Sequence, residues 1–257
     1  MTQDRQENGT ALVTGGAKRI GAAIARDLAA HGFAVAVHYN RSPDAAEALV
    51  ASIRADGGTA QAVGADLADA AATTGLIDAA AAALGPVTLL VNNASVFEDD
   101  CVTDFDLEQF ERHFAVHLKA PSLLARAMAG QLPATASGLI VNMIDQRVLS
   151  LTPRFYSYTL SKSALWTATR TMAQALAPRI RVNAIGPGPT LPNERQTQAD
   201  FDRQVEGLIL QRGPGLEEFG ATVRWMWQTP SFTGQIVALD GGQHLAWETP
   251  DVAGIEE

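Results

Sequence analysis

The sequence contains a single cysteine, Cys101, and fewer basic than acidic residues. One cysteine excludes an intrachain disulfide and a cysteine-rich metal site, and the 5 histidines show no spacing typical of metal ligands. With 19 Lys and Arg against 28 Asp and Glu, the formal net charge is −9 and the isoelectric point is about 5.0. Because nucleic acids and anionic membranes attract basic surfaces, we expect neither as a partner, and we expect no metal.

Long apolar runs are also missing. No uncharged apolar stretch reaches the length that spans a membrane, and residues 2–8 are polar, without the apolar core of a signal peptide. The 47% hydrophobic and 18% charged content is typical of an ordinary globular protein. We therefore expect a cytoplasmic location.

Strand and helix signals alternate along the 257 residues, without a proline- or serine-rich linker. Such alternation predicts a parallel sheet with helices on both faces. The predicted strands are 11–14, 33–38, 60–64, 87–92, 138–144, 180–186 and 235–239, and the predicted helices are 20–31, 43–56, 72–84, 106–130, 156–177 and 216–228. The sequence thus predicts one α/β domain over residues 1–257, a Rossmann-type doubly wound sheet of about seven parallel strands, with flexible tails at 1–9 and 248–257.

A glycine-rich segment, residues 14–21, lies between the first strand and the first helix. Strand, glycine turn and helix form the context that a dinucleotide-binding fingerprint requires. Glycines let the backbone approach a pyrophosphate closely, and the helix N-terminus offers free N–H groups to it. The cofactor contacts predicted here are Gly15, Lys18, Arg19, Ile20 and Gly21.

The second strand ends in a segment that favours NADPH over NADH. An NAD site normally has a carboxylate here for the ribose diol, but the first carboxylate is Asp44, at the start of the next helix. Arg41 and Ser42 instead offer a cation and a hydroxyl to a 2′-phosphate, although Arg41 can also be a solvated loop residue. The predicted contacts are Tyr39, Asn40, Arg41 and Ser42.

Two further strand ends carry candidate cofactor contacts. Asp66 and Leu67 follow the third strand, where a carboxylate can contact the adenine amino group. Asn93, Ala94 and Ser95 follow the fourth, beside the expected nicotinamide half of the site. Each polar residue can equally be a helix cap or a turn residue.

Tyr158 and Lys162 are one helical turn apart, so their side chains project from the same face. A nearby cation favours phenolate and lowers a tyrosine pKa, which makes the hydroxyl a usable proton donor or acceptor near neutrality. The spacing alone is common by chance. The Tyr158/Lys162 pair indicates a catalytic site only in combination with the surrounding motifs.

Taken together, these motifs resemble the short-chain dehydrogenase/reductase family over nearly the whole chain. The resemblance rests on the glycine turn, Asn92-Asn93-Ala94, the Tyr158/Lys162 pair, Arg181-Val182-Asn183 and Asp240-Gly241-Gly242. It implies further cofactor contacts at Pro187, Gly188 and Thr190, and a homotetramer built on the long helices.

Four residues depart from the pattern of the broad family. At these positions the sequence resembles the family's pteridine reductase branch, which includes dihydromonapterin reductases. The four residues are Arg19 in the glycine turn, Ser95 and Phe97 after Asn92-Asn93-Ala94, and Asp145 in place of the usual catalytic serine. The resemblance implies a substrate site formed by Arg19, Ser95, Phe97, Asp145 and Tyr158, with Lys162 on the nicotinamide ribose. It also implies NADPH-dependent reduction of dihydromonapterin or dihydrobiopterin, with dihydrofolate as a further candidate.

The chemistry of a pterin is consistent with these departures. A flat pterin stacks well on Phe97, and an imine nitrogen needs a proton where a carbonyl needs its alkoxide stabilised. Asp145 beside Tyr158 disfavours phenolate, which opposes Lys162 and keeps the phenol protonated for a relay. Asp145 can alternatively be a strand-end cap.

His117 occupies the position of the family's catalytic asparagine, so it is a further candidate for the catalytic set. It can hold a water that links Lys162 to solvent and tune the relay by titrating near neutrality, or it can be a packed helix residue. The polar, irregular stretch 190–212 lies where a substrate lid is expected.

Two other functions remain open at this point. One is an NADPH-dependent reductase of ketones or other carbonyl compounds. The other is a non-catalytic NADP-binding regulator, favoured by the unusual His117 and Asp145 and disfavoured by the intact Tyr158 and Lys162.

Overall fold

A computed structural model describes residues 8–193, 195–249 and 253–254. Seven parallel strands form one sheet in the order β3-β2-β1-β4-β5-β6-β7. They are β1 Thr10–Val13, β2 Ala34–Tyr39, β3 Thr59–Gly64, β4 Val87–Asn92, β5 Gly138–Met143, β6 Ile180–Pro187 and β7 Ile236–Leu239. The predicted α/β class is confirmed. The predicted tails lie largely outside the described residues, although Asn8 hydrogen bonds to the carbonyls of His31 and Gly32.

Eight α-helices flank the sheet in the described residues: α1 Arg19–Ala30, α2 Pro43–Ala55, α3 Ala70–Leu84, α4 Leu107–Phe114, α5 Ala120–Gln131, α6 Tyr156–Leu176, α7 Gln198–Glu206 and α8 Leu216–Gln228. Helices α1, α2 and α8 pack on one apolar cluster, and α3, α5 and α6 pack on a second. Each cluster uses alternate side chains of the same central strands; in β1, Ala11 and Val13 belong to one and Leu12 to the other. The strands are therefore buried on both faces, as parallel sheets require.

The sequence predicts a single α-helix over 106–130, and this prediction is wrong in the middle of that range. Between α4 and α5 the chain forms a π-helical turn, Ala115–Lys119. Pro121 explains the widened turn because it has no N–H to donate to the carbonyl of His117, four residues earlier. Such turns often occur at functional sites, and this one carries His117.

Helix α7 is missing from the sequence prediction, which treats 190–212 as irregular. The side chain of Thr197 accepts a hydrogen bond from the N–H of Asp200 and caps this helix. None of its nine residues is buried. Helix α7 has few apolar residues, so its sequence resembles that of a polar loop.

The direction of the strand order in the sheet reverses between β1 and β4. These two strands are neighbours in the sheet although β2 and β3 come between them in the chain. In parallel sheets, ligands bind beyond the carboxyl ends of the strands at such a switch point. The segments that follow β1, β4 and β5 meet there and carry the candidate site residues. Within the described residues, no helix has the length and apolar character to cross a membrane, and no group of three His, Cys, Asp or Glu side chains is arranged to hold a metal ion.

The guanidinium of Arg181, on β6, hydrogen bonds to carbonyls at and after the end of α8. Its Nη1 donates to the carbonyls of Met226, Thr229 and Phe232, and its Nη2 donates to that of Trp227, at 2.6–3.2 Å. The last carbonyls of a helix lack partners within the helix and carry partial negative charge. The carbonyls of Met226, Thr229 and Phe232 each accept one further hydrogen bond from another group. Arg181 adds a charged donor to these three carbonyls and supplies one to the carbonyl of Trp227.

Replacing Arg181 with methionine, which keeps an unbranched stem but no donor, removes all four of these hydrogen bonds. We expect Arg181→Met to lower the free energy of unfolding by about 2–3 kcal/mol, measured by urea denaturation. The control Arg203→Met removes an exposed arginine of α7 that is paired with Asp200, and it should leave the midpoint unchanged. Equal effects of the two variants would contradict the role given to Arg181.

Candidate active site

The glycine turn after β1 is packed too tightly for side chains. Gly15 has a φ of +59°, and a Cβ there would lie 2.9 Å from Cα of Ala94. A Cβ on Gly21 would lie 2.4 Å from the carbonyl oxygen of Gly15 and 2.5 Å from Nδ2 of Asn93. The turn thus has the bare backbone beside a helix N-terminus that a pyrophosphate requires, and a dinucleotide fits it.

Thr14 and Asn93 hold this turn against the end of β4. The Thr14 hydroxyl accepts from the N–H groups of Asn93 and Ala94, both at 3.0 Å. The Asn93 amide donates to the carbonyls of Thr14 and Gly15 at 2.9 and 3.1 Å. Asn93 therefore shapes the cofactor site through the turn. Sequence reasoning missed Thr14, whose hydroxyl is a long-range partner.

His38, near the end of β2, joins the same turn to the end of β3. Its Nδ1 accepts from the N–H of Gly15 at 3.0 Å, so the proton lies on Nε2, which donates to the carbonyl of Ala65 at 3.1 Å. Burial lowers the pKa of His38 to about 4, so the ring is neutral at physiological pH. A histidine inside an apolar strand was the available signal, and the sequence analysis did not use it.

At the adenosine end, the predicted residues divide into structural and exposed ones. Asp66 accepts from the amide of Asn40 at 3.3 Å and the N–H of Ala68 at 3.0 Å, so it acts as a turn residue here. Arg41 is exposed, and none of the ion pairs among the described residues includes it. Ser42 precedes α2 without using its hydroxyl as a cap. A cation and a hydroxyl are thus available at the predicted 2′-phosphate position.

The other predicted cofactor residues line or support the same edge of the sheet. Gly188 donates to the carbonyl of Leu239 at 2.8 Å and leaves no space for a Cβ against Asp240. Thr190 donates to the carbonyl of Gly188 at 3.1 Å. Of the rest, Lys18 is exposed, Leu67 is buried, and Ile20, Tyr39 and Pro187 are half-buried.

Tyr158 and Asp145 are in direct contact. The phenol of Tyr158, on the first turn of α6, donates to Oδ2 of Asp145 at 2.8 Å. Asp145 directly follows Ile144 at the end of β5, and its Oδ1 accepts the backbone N–H of Arg147 at 2.8 Å. Nη1 of Arg147 lies 3.2 Å from Oδ2. Arg147 thus fixes the carboxylate through its backbone and its guanidinium, which shares Oδ2 with Tyr158, and the sequence did not predict this contact.

The phenol of Tyr158 is held in its protonated form. Burial raises its pKa well above 10, and the charge and hydrogen bond of Asp145 raise it further. The lowering expected from Lys162 is therefore wrong, whereas the opposing effect expected from Asp145 has the predicted direction. Lys162 acts weakly because its Nζ lies 5.7 Å from the centre of the Tyr158 ring.

Lys162 is fully enclosed at the end of β5. Its Nζ donates to the carbonyl of Met143 at 2.8 Å, and only 2% of the residue is exposed. Burial lowers its pKa to about 8, against the opposing charge of Asp145. The ammonium is thus retained at neutral pH beside the aspartate and the tyrosine.

His117 is a neutral bridge between α6 and the segment after β4. Its Nε2 accepts the N–H of Val96 at 3.1 Å and contacts the Ser95 hydroxyl at 3.0 Å. Its Nδ1 therefore carries the proton and donates to the Ser161 hydroxyl at 2.8 Å. Burial and the charge of Lys162 lower its pKa well below 6.5, so the expected titration near neutrality is wrong. Its ring nitrogens instead position Ser95.

Phe97 belongs to a cluster of rings at the entrance to the site. It stacks on Phe155 with ring centres 4.4 Å apart and planes 9° apart, and it meets Tyr158 edge-on at 4.8 Å. Phe155, the residue before α6, lies in the left-handed region with a φ of 56°. The guanidinium groups of Arg147 and Arg195 lie 5.4 and 5.6 Å from the centre of the Phe97 ring. Of the three rings, the sequence indicated Phe97 and Tyr158 but not Phe155.

Arg19 points toward the loop after β6. Its two terminal nitrogens donate to the carbonyls of Leu191 and Pro192 at 3.2 and 3.1 Å. Its backbone has a φ of 53°, a conformation that usually favours glycine. The predicted turn arginine thus connects the glycine turn with the loop expected to set substrate choice.

The comparisons with known proteins agree with this geometry. The family model described as short chain dehydrogenase matches residues 9–202. The chain is 32% identical over 236 residues to a 3-oxoacyl-[acyl-carrier-protein] reductase of Synechocystis, covering 90% of this chain and 95% of that protein.

Two solved structures are more similar. FolM alternative dihydrofolate reductase 1 of Brucella canis, complexed with NADP, is 60% identical with a TM-score of 0.94, covering 98% of this chain and 100% of that one. The Brucella suis protein of the same name, also in complex with NADP, is 61% identical with a TM-score of 0.94, covering 96% and 99%. The match to the family model, together with the glycine turn and the Tyr158/Lys162 pair, shows that the chain belongs to the short-chain dehydrogenase family.

Proposed function

We propose that this protein is an NADPH-dependent reductase of a pterin-type ring, with dihydromonapterin, dihydrobiopterin and dihydrofolate as candidate substrates. The chain is an oxidoreductase of its family, and its cofactor is NADP(H). The observation that carries the pterin assignment is the 2.8 Å hydrogen bond from Tyr158 to Asp145. The Brucella dihydrofolate reductases, similar over nearly the whole chain, support it.

The residues present fit the cofactor. The packed glycines around Gly15 and Gly21 leave backbone N–H groups for the pyrophosphate. Arg41 and Ser42 follow β2, where the 2′-phosphate is expected, and an arginine can bond two of its oxygens. The bound nicotinamide supplies the hydride for a ring carbon of the substrate.

Tyr158 and Asp145 provide the proton. A hydride added to the carbon of a C=N bond leaves a strongly basic nitrogen, which takes a proton to give CH–NH. Tyr158 keeps its proton at neutral pH because its pKa is raised well above 10, and Asp145 fixes the direction of the hydroxyl. The positive charge of Arg147, which favours ionisation of Tyr158, stabilises the phenolate left behind. A positioned acid of this kind contributes roughly 10²–10⁴-fold to a rate.

A carbonyl substrate fits this arrangement less well. Reduction of a ketone builds negative charge on the carbonyl oxygen, which needs hydrogen-bond donors. Asp145 offers only acceptor oxygens next to Tyr158 when it is ionised. Its charge would oppose an alkoxide, whereas it does not oppose the protonation of a nitrogen. Carbonyl reduction, the activity named for the Synechocystis 3-oxoacyl-[acyl-carrier-protein] reductase, is therefore the alternative that the kinetics of Asp145 variants must exclude.

Alanine at Gly21 tests the cofactor site. Gly21→Ala places a methyl group against Gly15 and Asn93, so the turn must open and the dissociation constant for NADPH should rise at least about tenfold, which corresponds to about 1.4 kcal/mol. Titration by calorimetry measures it. In the matched variant Gly75→Ala, the added methyl has nothing within 4 Å in helix α3. That variant should bind NADPH normally and gain about 0.5–1 kcal/mol of stability; normal binding by Gly21→Ala would refute the assigned site.

Substitutions at Asp145 test the pterin assignment through steady-state kinetics, followed as loss of NADPH absorbance. With dihydromonapterin and dihydrofolate, Asp145→Asn should lower kcat by about 10²-fold or more, because the carboxylate that directs the Tyr158 proton is lost. Asp145→Ser should lose pterin turnover while holding or gaining activity on small carbonyl compounds. The control Asp200→Asn removes another carboxylate, paired with Arg203 on α7, and should change neither activity.

A wild-type enzyme that reduces carbonyl compounds but none of dihydromonapterin, dihydrobiopterin and dihydrofolate would overturn the pterin assignment. Its family and cofactor would stand.

A further inference from the structure

Arg195 lies beside the aromatic pair formed by Phe97 and Phe155. Its Nη2 donates to the carbonyl of Phe97 at 2.9 Å. Its guanidinium lies 5.6 Å from the centre of the Phe97 ring and 6.0 Å from that of Phe155. The residue is exposed, so its remaining donors are open to solvent at the edge of the proposed pterin site.

The other arginines around this site already bind carboxylates or backbone carbonyls of the protein. Arg147 is bound to Asp145, and Arg154, 5.3 Å from the Phe155 ring centre, is bound to Asp99. Arg19 donates to two backbone carbonyls. No carboxylate among the described residues forms an ion pair with Arg195. The hydrogen bond from Arg154 lowers the pKa of Asp99, and the charge of Arg195 adds to this lowering without a direct ion pair.

We propose that Arg195 binds the anionic tail of a substrate in which the pterin is joined to a carboxylate-bearing group, as in dihydrofolate. This inference rests on the proposed function and narrows its substrate class. A pterin ring stacked at Phe97 would send its substituent outward past Arg195. A guanidinium has five N–H donors in a fixed fork that matches a carboxylate, and only one of its hydrogen bonds is assigned to the backbone of Phe97.

The alternative is that Arg195 only holds its loop to Phe97. The two roles differ in which substrates they affect. A loop anchor acts on every pterin equally, because it changes the shape of the ring site. A carboxylate receptor acts only on substrates that carry the charge, and ionic strength weakens its effect because the pair is exposed.

The test compares dihydrofolate, which has two carboxylates, with dihydrobiopterin, whose side chain is uncharged. For each, kcat and KM are measured with NADPH, and dissociation constants are measured on the NADP+-loaded enzyme. Arg195→Gln should raise KM and the dissociation constant for dihydrofolate by about fivefold, a modest effect because the site is exposed. Its kcat, and all constants for dihydrobiopterin, should stay unchanged.

Two further variants help to distinguish a carboxylate receptor from a loop anchor. Arg195→Lys keeps the charge but loses the fork, and it should recover part of the dihydrofolate affinity. Arg203→Gln removes an exposed arginine of α7 that is paired with Asp200, and it should leave both substrates unaffected. Added salt should weaken dihydrofolate binding in the wild type, with little effect in Arg195→Gln.

Three outcomes would overturn the inference. Equal changes for both substrates in Arg195→Gln would show a loop anchor, and no change for either would show that the tail binds elsewhere. In both cases the reductase function would survive. If the wild type neither binds nor reduces dihydrofolate and dihydrobiopterin, the proposed function fails, and the role of Arg195 fails with it.

Discussion

The hydrogen bond from the Tyr158 phenol to the Asp145 carboxylate is the contact on which the rest of the site depends. It joins the first turn of α6 to the end of β5, and each partner is fixed by a second contact. The carboxylate is held by the backbone and the guanidinium of Arg147. The start of α6 is held by Asp100, which accepts the N–H of Ser157 at 3.1 Å. The tyrosine is thus oriented before any substrate arrives, and such preorganisation makes a proton donor effective.

Neutral buried histidines hold the surrounding loops. His38 connects the glycine turn to the end of β3, and His117 connects Ser95 to α6. In each, one ring nitrogen accepts a backbone N–H, which places the proton on the other nitrogen. Because burial lowers both pKa values, these contacts persist at physiological pH. The fold therefore keeps the cofactor and substrate segments in register with side chains that do not titrate near neutrality.

The sequence predicted what local periodicity and short motifs encode. All seven strands lie within one or two residues of their predicted positions, and the glycine turn lies between β1 and α1 as expected. The structure also brings Asp145 and Tyr158 together as their spacing indicated. Contacts between distant segments could not be predicted, because no local pattern encodes them. Arg147 beside Asp145, Arg195 on Phe97 and Arg19 on the loop after β6 are of this kind.

Errors in the prediction have identifiable physical causes. The pKa of Tyr158 rises because burial, which spacing does not reveal, adds to the charge of Asp145. The π-helical turn at His117 follows from a missing N–H at Pro121 within an otherwise regular helical pattern.

The central claim, a protonated Tyr158 held by an anionic Asp145, can be tested by ultraviolet titration of phenolate. The chain has 3 tyrosines, so the difference between the wild type and Tyr158→Phe isolates the signal of one group. The account predicts that the Tyr158 phenolate forms only above pH 10, and that Asp145→Asn shifts its formation to lower pH because a charge that opposes ionisation is removed. A Tyr158 phenolate that forms near neutral pH in the wild type, or that is unaffected by Asp145→Asn, would contradict the account.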